Sequence, residues 1–237
     1  YMWSTTFAFQ PWSSLLEFKR YNDRFIHEFP RINTLEGVAR TPYNQYDSLV
    51  LPVLKYLRAN GVNFQMGTKV TDMGFKKGIK EYTVEKIYYT RNGKNGEITV
   101  GSNDIVITTI GSITADSDLG TMTSAPKLIT DKRDGGWSLW KNLAKDRPGF
   151  GNPSKFCDHI DESKWESFTV TLTDPYFINR MKEWTKNDPG TGALVTFKDS
   201  NWYMSIVIAY QPHFRNQPEN IKVFWGYALN LDVPGNY

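Results

Sequence analysis

The sequence predicts an α+β fold, and three features carry the prediction. Aromatic and aliphatic residues recur at helical spacing near the start, glycine-punctuated β patterns occupy the middle, and short strands between turn clusters fill the end.

A first helix is expected to open at Ser14. Ser14-Leu15-Leu16-Glu17 is a capping box, in which hydroxyl and carboxylate each satisfy a backbone N–H left free at a helix start. Phe18, Tyr21, Phe25 and Phe29 then share one face, and Pro30 ends the run. A second helix is expected from Asp47-Ser48 through Leu49, Val53, Leu54 and Leu57 to the stop signal Asn60-Gly61. Pro52 falls in its early part, where a missing N–H is tolerated.

Residues 62–66 and 68–71 read as strand. Residues 84–90 and 98–100 read as a hairpin around Asn92-Gly93 and Asn95-Gly96. The run Ile105-Val106-Ile107-Thr108-Thr109-Ile110-Gly111-Ser112 is almost entirely β-branched and ends in small residues, the pattern of a strand buried on both faces. A stretch from about 120 to 153 is irregular, apart from Gly135-Gly136 and a short helix over 137–143. Residues 168–172 form a further strand, and Asp174-Pro175 opens a helix to about Thr185, with Asp as cap and Pro at its first position. Asp188-Pro189-Gly190-Thr191-Gly192 is a turn, followed by strands over 193–197, 202–208 and 221–229. The first half therefore reads as part of an α/β domain with an inserted β-meander, the second as an antiparallel sheet carrying one helix.

Composition narrows the function. The 237 residues are 40% hydrophobic and 22% charged, ordinary for a globular chain with a real core. Its 28 basic and 25 acidic residues are spread evenly, which argues against a nucleic-acid groove or a polybasic membrane patch. The single cysteine, Cys157, excludes an internal disulfide or a thiolate metal site and favours a reducing compartment. His27, His159 and His213 lie far apart without partners at metal-ligand spacing, so no metal is expected. Neither a membrane-span run nor a signal peptide is evident, and G-x-G-x-x-G, Walker A and G-x-S-x-G motifs are missing. Aromatic residues make up 15%, which suits either an apolar pocket or a core of flat side chains. Tyr1 opens the chain without a methionine and Pro234-Gly235-Asn236-Tyr237 closes it without a regular element, so both ends are expected to be cut edges.

An ordered set of short strings stands out. Thr5-Thr6-Phe7-Ala8-Phe9-Gln10-Pro11-Trp12 leads into the helix with Arg20-Tyr21 and Arg24-Phe25-Ile26-His27. Tyr43-Asn44-Gln45-Tyr46-Asp47-Ser48, Thr68-Lys69-Val70-Thr71 and Thr109-Ile110-Gly111-Ser112-Ile113-Thr114 follow. Thr191-Gly192, Lys198-Asp199-Ser200-Asn201-Trp202, Gln211-Pro212-His213-Phe214 and Pro234-Gly235-Asn236 complete it. In this order and spacing the chain resembles the central portion of the bacterial fatty-acid (oleate) hydratases, the flavoproteins once called myosin-cross-reactive antigens.

The resemblance implies a hydro-lyase that adds water across a cis double bond of an unsaturated long-chain fatty acid, as in oleate to 10-hydroxystearate. It implies FAD that organises the site rather than accepting electrons. The N-terminal FAD-binding turn, the water-activating acid and the C-terminal cap of that family lie outside this chain, so the fragment alone is expected to be inactive. The family is further expected to be a cytoplasmic homodimer with peripheral membrane association and no nucleic-acid partner. Residues 1–60 then belong to a helical substrate-domain segment, 61–118 to part of the FAD-binding domain with its β-meander, and 119–237 to an antiparallel β substrate domain.

Site residues carry over position by position. Tyr21 matches the family's proton-donating tyrosine; a phenol of pKa about 10 needs help to protonate an alkene, and Arg24 at i+3 is placed to supply positive charge, with Glu17 opposing it. On its aromatic stripe alone, Tyr21 reads as core packing. Gln45 and His213 match residues that hold the substrate carboxylate; read alone, they are a helix-capping turn residue and a satisfied strand-end histidine. Val70, Gly111 and Ser112 match positions where the backbone touches FAD, although a glycine also ends strands that bind nothing. Where many members carry Thr and Asn, this chain has Val207 and Ala209, and Trp12-Ser13-Ser14-Leu15 replaces Trp-His-Ser-Ala. A weaker carboxylate site is expected. A redox flavoprotein of the amine oxidase or desaturase type and a non-catalytic fatty-acid-binding fragment are the alternatives.

Overall fold

A computed structural model describes residues 2–11, 13–78, 81–112, 114–192 and 194–236; Tyr1, Trp12, Ile113, Ala193 and Tyr237, named above, lie outside the described residues. The chain divides into two compact units, Tyr1–Asn63 with Lys164–Tyr237, and Phe64–Ser163.

The first unit begins with a short helix the sequence did not announce, α1 (Met2–Thr6), followed by α2 (Leu15–Phe25). Ser14 caps α2 as expected, its hydroxyl accepting the Glu17 N–H at 3.4 Å. The chain then tightens into a 3₁₀ segment, Ile26–Arg31, that contains Pro30. The aromatic face of α2 does not enter a deep core. It meets the rings that precede it, with Trp3 4.6 Å from Phe18 and Phe7 5.1 Å from Phe25. The second helix starts as a widened π-turn over Tyr46–Val50 and continues as α3 (Leu51–Ala59), with Pro52 in the first turn. Gly61, at φ +77°, ends it.

The second unit is built on an antiparallel meander of β1 (Thr68–Lys77), β2 (Tyr82–Arg91) and β3 (Lys94–Thr99). Asn92 and Gly93 both take positive φ, +51° and +75°, the conformation a two-residue primed hairpin turn demands. Asn95-Gly96 is not a turn but part of β3, where the glycine leaves room for the Tyr89 ring. The helix α4 (Gly136–Ala144) lays Leu139 and Leu143 against Met73 of β1, and two single-turn helices follow, α5 (Ser154–Cys157) and α6 (Ile160–Ser163).

Two expected strands in this region are corrected. Residues 62–66 form no strand and stay exposed; the strand begins only at Thr68. The run 105–112 is not a strand buried on both faces. Val106 and Ile110 pack on the Met73 cluster, while Ile105 and Ile107 are 88% and 87% exposed. Among the described residues no backbone hydrogen bond engages 105–111, so the segment has the period of a strand without a ladder.

The chain returns to the first unit with β4 (Glu166–Leu172), α7 (Tyr176–Thr185), β5 (Val195–Thr196), β6 (Ser205–Val207) and β7 (Lys222–Ala228). The sheet is antiparallel throughout, in the order β4-β7-β6-β5. The Asp174 carboxylate accepts the Tyr176 N–H at 2.9 Å from two residues before α7, so it holds the helix start as expected, although Pro175 rather than Asp174 stands at the cap position. Met181 of α7 seats on Ile206 and Phe224, and Phe177 stacks on Phe224 at 4.7 Å. The later strands are shorter than expected; β6 starts late because Tyr203, at φ +50°, breaks the extended run before Ser205. Helices with antiparallel sheets make the chain α+β. No helix among the described residues is long and apolar enough to cross a membrane.

Candidate functional site

Tyr21 stands in a cage of rings. Phe7 and Phe9 meet it edge-on at 5.4 and 5.3 Å, and Phe25, one turn along α2, stacks at 6.3 Å. The cage is half-open, and the Tyr21 hydroxyl makes no hydrogen bond among the described residues. Arg24 and Glu17, expected to tune it, are both exposed. The wall that holds Phe7 and Phe9 is anchored from behind: Thr5 of α1 is buried, and the Tyr227 hydroxyl of β7 donates to its carbonyl at 2.9 Å. Burial pushes the Tyr227 phenol up to about 12, so it remains a donor.

Gln45 and His213 belong to a separate construction, a clasp between two strings far apart in sequence. The Asn44 N–H donates to the His213 carbonyl at 2.9 Å, and the Asn44 amide donates to the same oxygen at 3.1 Å, 169 residues away. Asn44 also caps the helix start: its oxygen accepts the Asp47 N–H at 3.0 Å, and its amide donates to Asp47 Oδ2 at 2.8 Å. The cap is therefore Asn44, not Gln45, whose exposed amide makes no hydrogen bond among the described residues. Asp47 accepts the Arg215 N–H at 3.2 Å, which with the Asn44 amide holds its carboxyl below the usual carboxylate range.

The other half of the clasp is shaped by two glutamines. Gln217 Oε1 accepts the N–H groups of His213 and Phe214 at 2.8 and 3.3 Å, and its amide donates to Gln211 Oε1 at 3.0 Å. Gln211 in turn bridges the Ala209 and Val223 carbonyls. The His213 ring makes no hydrogen bond among the described residues. Partial burial lowers its pKa and so favours the neutral imidazole, opposed by the negative charge of Asp47. The sequence pointed to Gln45 and His213 but not to the frame around them. Its one legible trace is Asn44-x-x-Asp47, a capping pattern. Among the described residues, no hydrogen bond or ring contact joins Tyr21 to Gln45 or His213.

The remaining named positions lie in the second unit. Val70, on β1 opposite Tyr89, packs against the Met73 cluster. Gly111 takes φ +67°, and a Cβ there would come within 2.6 Å of the Trp137 ring. The Ser112 hydroxyl pairs with that of Thr114 at 2.9 Å. Among the described residues, His, Cys, Asp and Glu do not gather in threes that would hold a metal.

With these strings in place, comparison decides the kinship. The sequence model of the MCRA family matches residues 1–237, every position of the chain. The chain belongs to the MCRA family. It is 36% identical over 241 residues to the oleate hydratase of Streptococcus pyogenes serotype M49 (strain NZ131), an alignment covering 99% of this chain and 41% of that protein. It is 39% identical over 247 residues to the linoleate hydratase of Lactiplantibacillus plantarum, covering 97% of this chain and 42% of that protein. The chain thus spans about two-fifths of the length of these curated relatives.

Family membership raises the question of a flavin, which these three positions are expected to meet through their backbone. A Cβ at Gly111 would strike the Trp137 ring, the Ser112 hydroxyl is paired with Thr114, and the Val70 side chain packs on the chain's own core, so their side chains do not supply the hold. The glycine at position 111 is explained by a ring of this protein.

Proposed function

We propose that this chain is the central part of an FAD-dependent hydratase that adds water, without net redox change, across a cis double bond of an unsaturated fatty acid. Support comes first from the clasp that joins the Asn44-Gln45 string to the His213 string, two donors with unused polar ends that suit a carboxylate head group. In this reading residues 61–118 form part of the flavin-binding domain, and the substrate runs along the remaining segments. FAD, when bound, would organise the site; its hold would come mainly from outside Val70, Gly111 and Ser112.

Tyr21 is proposed as the proton donor. Its hydroxyl gives a proton to one alkene carbon, water oxygen bonds to the other, and the proton lost by that water restores the phenol, so H and OH are added in balance. The ring cage fixes the donor, and its hydroxyl makes no hydrogen bond among the described residues. Tyr21→Phe removes one oxygen and keeps the cage packed. In a polypeptide of the relatives' full length that contains this chain, oleate hydration should fall by roughly 10²–10⁴-fold, the contribution of a positioned acid. Retention of more than roughly a tenth of the rate would return Tyr21 to a packing role.

A further inference from the structure

We infer that Arg215 supplies the positive charge of the head-group clasp and selects a carboxylate over a neutral polar group. The inference rests on the reading of Gln45 and His213 as head-group residues. It comes from where the Arg215 side chain lies. Its guanidinium carbon sits 5.9 Å from the centre of the Tyr43 ring, two residues before Gln45. Its Nη2 reaches the Asp47 carbonyl at 3.4 Å, two residues after Gln45. Arg215 therefore contacts residues on both sides of Gln45 in the sequence, and it follows His213 by two positions in the other half of the clasp.

The charge is available. A guanidinium carries five N–H donors, and only one contact, a long one to a neutral carbonyl, engages them among the described residues. No carboxylate forms an ion pair with it there. The nearby anion is Asp47, whose Oδ2 accepts the backbone N–H of Arg215 and the Asn44 amide rather than the guanidinium. Asp47 opposes a carboxylate ligand, so an amide and a neutral imidazole would attract one poorly without a cation beside them. Arg215 answers that deficit, and the planar fork of an arginine matches the two oxygens of a carboxylate. With Val207 and Ala209 contributing no side-chain donors, the charge carries more of the recognition here.

The test uses equilibrium titration of this chain with oleate and with oleyl alcohol, followed by tryptophan fluorescence. Arg215→Met should weaken oleate binding roughly five- to tenfold, the range between an exposed ion pair and a charged hydrogen bond, and leave oleyl alcohol unchanged. Arg215→Lys, which keeps charge but loses the fork, should fall between, with its fold checked by thermal unfolding. Oleate binding should also weaken with added salt in the unaltered chain and respond less in Arg215→Met. Equal weakening of both ligands, or of neither, overturns the inference. If Gln45→Ala and His213→Ala weaken oleate while Arg215→Met does not, the head-group reading stands and this inference falls. If the unaltered chain binds oleate no better than the alcohol and none of the three variants changes that, the head-group reading itself falls.

Discussion

The hydroxyl of Tyr227 donates to the carbonyl of Thr5 at 2.9 Å, joining a buried strand to the first helix across 222 residues. That bond fixes the segment from which Phe7 and Phe9 reach Tyr21. Tyr227→Phe keeps the ring and its contacts with Trp165 and Trp225 but loses the donor. The change should cost roughly 0.5–1.5 kcal/mol and lower the melting midpoint by about 1–6 °C. An unchanged midpoint would mean that α1 is held by its ring contacts alone.

The same residue sets a pH dependence. Burial raises the Tyr227 pKa from 10.0 to about 12, so the folded state keeps its proton after the unfolded chain has lost it. The unfolded state then binds fewer protons, and stability must fall as pH rises. The contribution is intact below about pH 10 and is lost between about 10 and 12. Other tyrosines and lysines titrate there too, so the quantity to measure is the difference between the parent and Tyr227→Phe in denaturant midpoint against pH. Parallel curves would show that the phenol ionises equally in both states.

Gly111→Ala should destabilise the second unit more than Gly67→Ala. Both glycines hold positive φ, +67° and +65°, where alanine costs about 1–2 kcal/mol. Only at Gly111 does the added methyl also strike something, the Trp137 ring at 2.6 Å; at Gly67 nothing lies within 4 Å. An excess of about 1–3 kcal/mol for Gly111→Ala, typical of overpacking, is expected in chemical denaturation. Equal costs would mean that Trp137 moves aside, and the room at Gly111 would then be open to a ligand after all.

The sequence disclosed those elements that satisfy themselves locally. Ser14 and Asp174 cap helices from within a few residues, and Asn92-Gly93 turns a hairpin between strands that pair with each other. It failed where an element needs a partner. The 105–110 run has every local mark of a buried strand, yet Ile105 and Ile107 face out because no strand among the described residues pairs with them. Site residues divided in the same way. Tyr21, Gln45 and His213 were marked by strings, whereas Asn44 and Arg215 reach across to distant segments, and Gln211 and Gln217 brace each other within a loop that has no regular period. α1 was missed because a short aromatic helix gains its stability from Phe18 and Phe29, not from its own propensity.

The loss of donors at 207 and 209 should be reversible. Val207 stands at the end of β6, opposite Trp225, and Ala209 lies just beyond it, where its carbonyl already accepts the Gln211 amide. Val207→Thr with Ala209→Asn adds two side-chain donors while leaving that backbone contact in place. A hydrogen bond to a charged group is worth roughly 1.5–3 kcal/mol, so one of them formed in full should tighten oleate binding about tenfold or more. No gain, with the fold unchanged, would place the head group away from this strand end.

The chain by itself should bind FAD weakly. The strongest anchor for a pyrophosphate is a glycine-rich turn at a helix N-terminus, where backbone N–H groups and the helix dipole face the anion. The nearest approach to one here is the start of α4, where Gly135-Gly136 adjoin Gly111. That start is taken by the protein's own groups. The Asp134 carboxylate accepts the Gly136 N–H at 2.8 Å, which places a negative charge where a phosphate would have to come. The Lys69 stem fills the space over Gly135, its ammonium held by the Arg133 carbonyl at 3.0 Å, and Trp137 covers Gly111. A flavin titration followed by absorbance should therefore give no saturable shift at micromolar FAD. Asp134→Asn separates two causes of that result: it removes the repelling charge and keeps an acceptor for Gly136. Tighter binding in this variant would show that charge alone closes the site. No change would mean that the missing contacts are the glycine turn itself, while a low micromolar dissociation constant in the parent chain would require another phosphate anchor on this surface.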